Sequence, residues 1–333
     1  MKKQKVQSAA LVSGVVFLAG ILMSGCGGQG DVRVIKLGHG LAPSHPVHKA
    51  MEYFAQRVKE KSDGGMRIDI YPSEQLGSER ECLELLQIGS LGMTKTSSSP
   101  LESFAPVVKV FGLPYLFRNE EHRFNVLEGE IGEELLRAPR DDRLLGLCYY
   151  DAGSRSFYTV DQPIREPADL AGLKIRTQES TTAMQMVRAL GGSPTPIAWG
   201  ELYSALQQGI VDGAENNPPS FHLSHHYEVC GYYSLDQHTA VPDILLISTV
   251  IWNDLTEEQQ EIIKSSALES AQRQKQLWAE ATKEAMEKVQ EAGVEVIRPD
   301  KEPFREMVAP MYETYKEQFP KIYEYAERIR GVK

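Results

Sequence analysis

Apolar positions along this chain switch repeatedly between a two-residue and a helical period. Val32 to Leu37 alternates like a strand and runs into Gly38-His39-Gly40, a turn where a side chain faces a cleft. Pro46 to Lys61 reads as a helix and Met66 to Tyr71 as a second alternating strand. Ser78 and Glu81 have the spacing of a capping box, which predicts a helix over Glu79 to Gln87. Strands and helices keep alternating through Tyr150, the pattern of an α/β lobe with a mostly parallel sheet.

A second α/β run begins near Gly153 and ends around Thr239. Its strand candidates are Phe157–Val160 and Leu173–Ile175, and its helices Thr182–Leu190 and Gly200–Gln208. Val241 to Ile251 reads as one long apolar strand. Thr256 and Gln259 then cap a helix free of proline and glycine to about Ala292. At 1.5 Å per residue it is on the order of 50 Å long, more than one small lobe is wide. We therefore expect a strut across both lobes, and the poor heptad pattern argues against a coiled-coil dimer. A last helix, Phe304 to Ile329, packs back on a lobe.

The length of 333 residues suits two lobes, and the composition is that of a globular protein. The formal charge is −10, and without residues 1–25, which hold three lysines and no acid, it is −13. Such a surface repels nucleic acid and gives an anionic ligand no long-range steering, so any grip on an anion must be local. At the N-terminus, Lys2, Lys3 and Lys5 precede an apolar stretch from Ala9 to Met23 that is short for a membrane span. Leu22-Met23-Ser24-Gly25-Cys26 is close to a bacterial lipobox, with Met23 where Leu is usual. Residues 1–25 are expected to be a lipoprotein signal peptide, Cys26 the acylated anchor and 26–31 a tether, on an exported protein in the periplasm or on the outer face of the cytoplasmic membrane. Gly25 to Gly30 spells G-x-G-x-x-G, but without a preceding strand or following helix it is not a nucleotide site. Cys82, Cys148 and Cys230 lack a C-x-x-C pattern and are expected as buried apolar residues, a disulfide remaining open.

The candidate chemistry gathers in Ala171 to Ser220. Arg176 ends a short apolar run just before the helix-start signal Ser180-Thr181, and Asn216 and Asn217 follow a second run, Ile210-Val211. A guanidinium at a strand end grips a carboxylate bidentately, and neighbouring amides supply further hydrogen bonds. His222, His225 and His226 have helical spacing, but nothing completes a metal set, and a solvated helix face is the better reading. There is no G-x-S-x-G, Walker loop or H-E-x-x-H. No cofactor, metal or catalytic residue is expected.

With Arg176 and the Asn216 pair in place, the chain resembles the solute-binding proteins of tripartite ATP-independent periplasmic (TRAP) transporters, dicarboxylate-type (DctP) branch. The resemblance rests on YPSEQLGSERE (71–81), GLKIRT (172–177), GGSPTPIAWGELYSALQQGIVDGAEN (191–216) and HYEV (226–229), in this order and spacing. It implies an α/β, two-lobe periplasmic-binding-protein-like fold with crossover hinge strands and a long helix spanning both lobes. Lobe I would comprise 32–152 plus 242–281, and lobe II 153–241 plus 282–333. By the same resemblance Arg176 pairs with the ligand carboxylate and Asn216 accompanies it. Arg155 is a second cationic contact, Trp199 an aromatic wall, and His39, Glu79 and Ser97 line the pocket on the first lobe. Asn217, His45 and His238 are further candidate contacts.

The expected ligand is a small organic anion. Glu79 and His39 suit hydroxyl groups and Trp199 suits a flat sugar face, which favours a sugar acid such as a uronate or aldonate over a C4-dicarboxylate. The loaded protein, a monomer, would dock on the small and large TRAP permease subunits. A secreted enzyme acting on a carboxylated sugar, or a sensory module presented to a membrane kinase, remain alternatives from other classes.

Overall fold

The computed structural model describes residues 32–333, which form one compact unit. The expected signal peptide, Cys26 and the tether lie outside the described residues. Two β-sheets organise the chain. The first contains β1 (Arg33–Gly38), β2 (Met66–Tyr71), β3 (Met93–Ser97) and β4 (Leu144–Tyr150). The second contains β5 (Arg155–Thr159), β6 (Lys174–Thr177), β7 (Ser193–Pro196), β8 (Gly213–Asn216) and β9 (Tyr232–Thr239). The chain then returns to the first sheet as β10 (Asp243–Ser248) and ends its strands in the second as β11 (Glu295–Ile297). The orders are β2-β1-β3-β10-β4 and β11-β9-β5-β8-β6-β7.

Each sheet is parallel except for one strand. β10 runs antiparallel to β3 and β4, and β5 antiparallel to β8 and β9. These two strands are entered by the segments that cross between sheets, Asp151–Ser154 and Ala240–Pro242. β10 is shorter than the apolar run predicted. After Ser248 the backbone turns into a short helix, Thr249–Trp252, and the Ser248 hydroxyl donates to Leu86 O at 2.6 Å.

Both faces of each sheet are covered, which suits apolar parallel strands. In the first sheet, Ile35, Leu37 and Leu245 pack with Phe54 of the helix Pro46–Lys61 and with Ile263, Ala267 and Trp278 of the long helix. The long helix spans Glu257–Glu291 under the expected Thr256/Gln259 capping box. Its later turns carry Val289 into the core of the second sheet, beside Tyr158 and Tyr233. One helix therefore stiffens both halves, as its length required.

The final helix differs from the reading of the sequence. It breaks at Phe319 and Pro320, where proline cannot continue the hydrogen-bond ladder, giving Glu302–Gln318 and Pro320–Gly331. Phe304 and Val308 pack under the second sheet, whereas Ile322, Ala326 and Ile329 join the core of the first. The assignment of 282–333 to the second lobe therefore does not hold for its last helix.

The crossover next to β4 is held from the long helix by Gln274, fully buried. Its amide accepts from Asp151 N and donates to Asp151 O, both at 2.8 Å. Asp151 Oδ1 in turn accepts from Gly153 N and Arg123, each at 2.8 Å. Gln274→Leu would leave two buried backbone groups unpaired, and urea unfolding should show a loss of about 2–4 kcal/mol.

Candidate functional site

Strand direction determines where ligands meet such sheets: outside the carboxyl ends of parallel strands. Both sheets turn those ends to one cleft. Glu79 follows β2, Ser97 ends β3, Arg176 and Gln178 stand at the end of β6, Trp199 follows β7 and Asn216 ends β8. The reversed strands contribute their beginnings, Arg155 and Asp243. Apart from Arg176 these side chains line one cleft together with Trp278, and Arg176 lines an adjoining space that Glu79, Gln178 and Trp199 share with the cleft.

The wall on the second sheet carries the positive charge. Arg176 pairs with Ala214 across β6 and β8, so it shares a sheet face with Asn216, two residues on. Its guanidinium is 2% exposed as a residue, and among the described residues it has no carboxylate within salt-bridge distance. Its Nε donates to Ile197 O at 2.9 Å, its carbon lies 5.8 Å from the Trp199 ring centroid, and Nη1 is buried with no hydrogen-bond partner. Burial lowers its pKa, with Tyr158 and Glu215 opposing. A buried cationic donor left in this state is strongly unfavourable until an acceptor reaches it.

Arg155 is built differently. It also lines the cleft, but Nε and Nη2 bind the Glu215 carboxylate and Nη2 also reaches Glu215 O at 2.7 Å. Nη1 donates to Asn216 Oδ1 at 2.9 Å and keeps one hydrogen free. Asn216 Oδ1 also accepts from Asn217 N, so its NH2 is the part left for a ligand. Asn217 lines the cleft while capping the helix Pro218–Leu223 through Ser220 N at 2.9 Å.

Behind Arg155 the charges continue inward. His238 sits between Asp236 (2.7 Å) and Glu215 (3.4 Å). Burial alone would lower its imidazole, but the two carboxylates outweigh it and raise the pKa to about 9. Glu215 is opposed by burial and is held down to about 2 by Arg155 and His238. His238 does not line the cleft. It was a candidate contact and instead buttresses Arg155 through Glu215.

The wall on the first sheet is acidic. Lys95 and Ser97 alternate onto one face of β3, and Asp243 stands opposite Ser97 in β10. Lys95 Nζ bridges Glu79 Oε1 at 2.9 Å and Asp243 Oδ2 at 3.3 Å. Ser97 N also donates to Glu79 Oε1, so both of the hydrogen bonds that reach Glu79 fall on one oxygen. Burial raises the Asp243 pKa against the pull of Lys95. Contacts that tie the two sides include Ser97 Oγ to Gln178 Oε1 at 3.3 Å, Gly200 N to Glu74 Oε1 at 3.1 Å, His45 Nε2 to Ser220 Oγ at 3.4 Å, and Thr181 Oγ1 donating to Glu102 Oε1 at 2.7 Å.

His39 is not among the lining residues. Its Nδ1 accepts from Leu41 N and its Nε2 faces His48 Nδ1 at 3.0 Å, and burial with Lys95 nearby lowers its pKa to about 2. It is a neutral, satisfied core histidine behind the wall. The histidine triplet does not form one helix face either. The helix ends at Leu223, His225 takes a left-handed backbone, and His226 is buried with Nδ1 at 2.9 Å from the Tyr158 hydroxyl. Cys82, Cys148 and Cys230 are buried and unpaired, and no metal-ligand cluster is present among the described residues.

Lys95, Gln178, Asp243, Glu215 and Trp278 were missed. Two of them had a signal: Gln178 is two residues from Arg176, and Lys95 two from Ser97, so strand alternation puts each pair on one face. Asp243, Glu215 and Trp278 reach the site by tertiary packing alone.

The chain is similar to known proteins over most of its length. The family described as bacterial extracellular solute-binding protein, family 7 (DctP), matches residues 37–318. A solute-binding protein of Chromohalobacter salexigens is 34% identical over 281 residues, covering 84% of each chain. A TRAP periplasmic solute-binding protein of Anaerococcus prevotii, solved with bound α/β-D-glucuronate, superposes with a TM-score of 0.88 at 38% identity over 90% of this chain and 98% of that one. One from Xanthobacter autotrophicus with bound β-D-galacturonate gives 0.87 at 37%, over 90% and 100%.

The pH behaviour of the buried charges is testable. A histidine raised from 6.5 to about 9 contributes stability that is complete below pH 6.5 and lost as pH rises through 9. Between pH 6 and 9.5 the wild type should therefore lose on the order of 3 kcal/mol more than His238→Gln in urea unfolding.

Proposed function

The chain belongs to the bacterial extracellular solute-binding proteins of family 7, and we propose that it captures a sugar acid, a uronate or aldonate, for a TRAP permease. Its family is one of binding proteins for transport, not of enzymes. The observation that carries the ligand's charge is Arg176: a buried guanidinium whose Nη1 has no partner and which no protein carboxylate neutralises among the described residues. A ligand carboxylate supplies both missing elements, with Asn216 NH2 and the free Arg155 hydrogen beside it. Trp199 offers a flat apolar face, and the acidic wall of Glu79 and Asp243 accepts hydrogen bonds from hydroxyls. The uronates held by the two structural relatives have this combination of groups.

Delivery follows from a two-lobe clamp. We take the lobes as 32–152 with 242–281 and 153–241 with 282–319, the last helix moving with the first. A ligand that touches both walls favours the closed state, because only differential contact shifts an open–closed equilibrium. The closed monomer is then handed to the small and large permease subunits from a lipid anchor at Cys26.

Arg176→Ala should lower the affinity for D-galacturonate or D-glucuronate by ~2–5 kcal/mol in calorimetry, with circular dichroism unchanged. Near wild-type affinity would remove Arg176 from the role. Thermal stabilisation by succinate or malate and by no sugar acid would make the protein a four-carbon diacid receptor instead.

A further inference from the structure

The two walls of the cleft differ in charge and in hydrogen-bonding sense, and the difference reaches beyond choosing a sugar acid. On the second sheet, Arg176 Nη1, the spare Arg155 Nη1 hydrogen and Asn216 NH2 are donors. Arg155 is neutralised by Glu215, so this wall carries one uncompensated positive charge, that of Arg176. On the first sheet, one lysine faces two carboxylates, Lys95 against Glu79 and Asp243. That wall carries one uncompensated negative charge, and ionised carboxylates only accept hydrogen bonds. All three groups are at most 14% exposed at the side chain, so water screens them little.

Resting on the reading of a sugar-acid receptor, we propose that Glu79 and Asp243 are the specificity-determining residues that restrict the ligand to one carboxylate. A ligand that places its carboxylate on Arg176 must present hydroxyl donors to the opposite wall. A second carboxylate there meets like charge, and its oxygens meet acceptors with no hydrogen between them. Like-charge juxtaposition at a desolvated contact is a strong discriminator between partners. Lys95 does not rescue such a ligand: two of its three N–H groups point to Glu79 and Asp243, and its single charge offsets only one of those two carboxylates. The protein thus separates a uronate from the aldarate of the same carbon skeleton, which differs by one carboxylate.

The test compares D-galacturonate with galactarate by calorimetry on the wild type, Glu79→Gln, and Glu79→Gln/Asp243→Asn. The wild type should bind galactarate at least about 100-fold more weakly than galacturonate. The double variant removes two negative charges and frees Lys95, so the ratio should narrow by at least about tenfold, the single variant falling between. Comparing the ratio across variants cancels the difference between ring and open-chain ligands. Thermal unfolding identifies a variant that has lost its fold, and the wild-type ratio then decides alone. Equal wild-type affinities, or a ratio unmoved in the folded variants, would overturn the proposal while leaving the sugar-acid reading intact. A wild type that binds neither galacturonate nor glucuronate would instead overturn that reading, and this proposal with it.

Discussion

A guanidinium buried in a protein must be answered by an anion, and the Arg176 guanidinium is not answered by its own chain among the described residues. The contrast with Arg155 shows that the fold has the means to do so. Arg155, also buried and two strands away in the same sheet, has a carboxylate clasped around it, which is in turn held by His238 and, through it, Asp236. One arginine is already neutralised and keeps a single Nη1 hydrogen for a guest. The other is an open valence, and the cleft is arranged around it.

The topology makes that arrangement possible. Two sheets of mainly parallel strands point their carboxyl ends at a common gap, and a single reversed strand in each carries the chain across. The crossings keep the walls covalently joined, while the long helix and the Gln274–Asp151 hydrogen bonds brace the joint. In the proposed clamp, closure would bring a donor wall against an acceptor wall. A guest with one acid and several hydroxyls satisfies both.

Much of this was legible in the chain. The capping boxes at Ser78 and Thr256, the N-cap at Ser180 and the uninterrupted helix after Leu255 are local signals, and local interactions produced them as read. Arg176 was legible from its place at the end of a short strand, just before the helix-start signal at Ser180. What escaped depended on neighbours distant in sequence. His39 and His238 read as ligand contacts because an isolated histidine near a turn does not disclose its partners, His48 in one case and Asp236 with Glu215 in the other. Arg155 does line the cleft, but its neutralisation by Glu215 was not visible because the strand pairing that brings Glu215 to it is long-range. The acidic wall was half seen, since Glu79 stands at a recognisable helix start but Asp243 lies in a run that reads as one long apolar strand.

The most direct measurement is a crystal structure of the mature protein grown with D-galacturonate. The account predicts a closed cleft with a ligand carboxylate oxygen within about 3 Å of Arg176 Nη1, and with hydroxyls turned to Glu79 and Asp243. A bound sugar acid whose carboxylate lies on Lys95 or faces solvent, with Arg176 Nη1 still unpartnered, would contradict it.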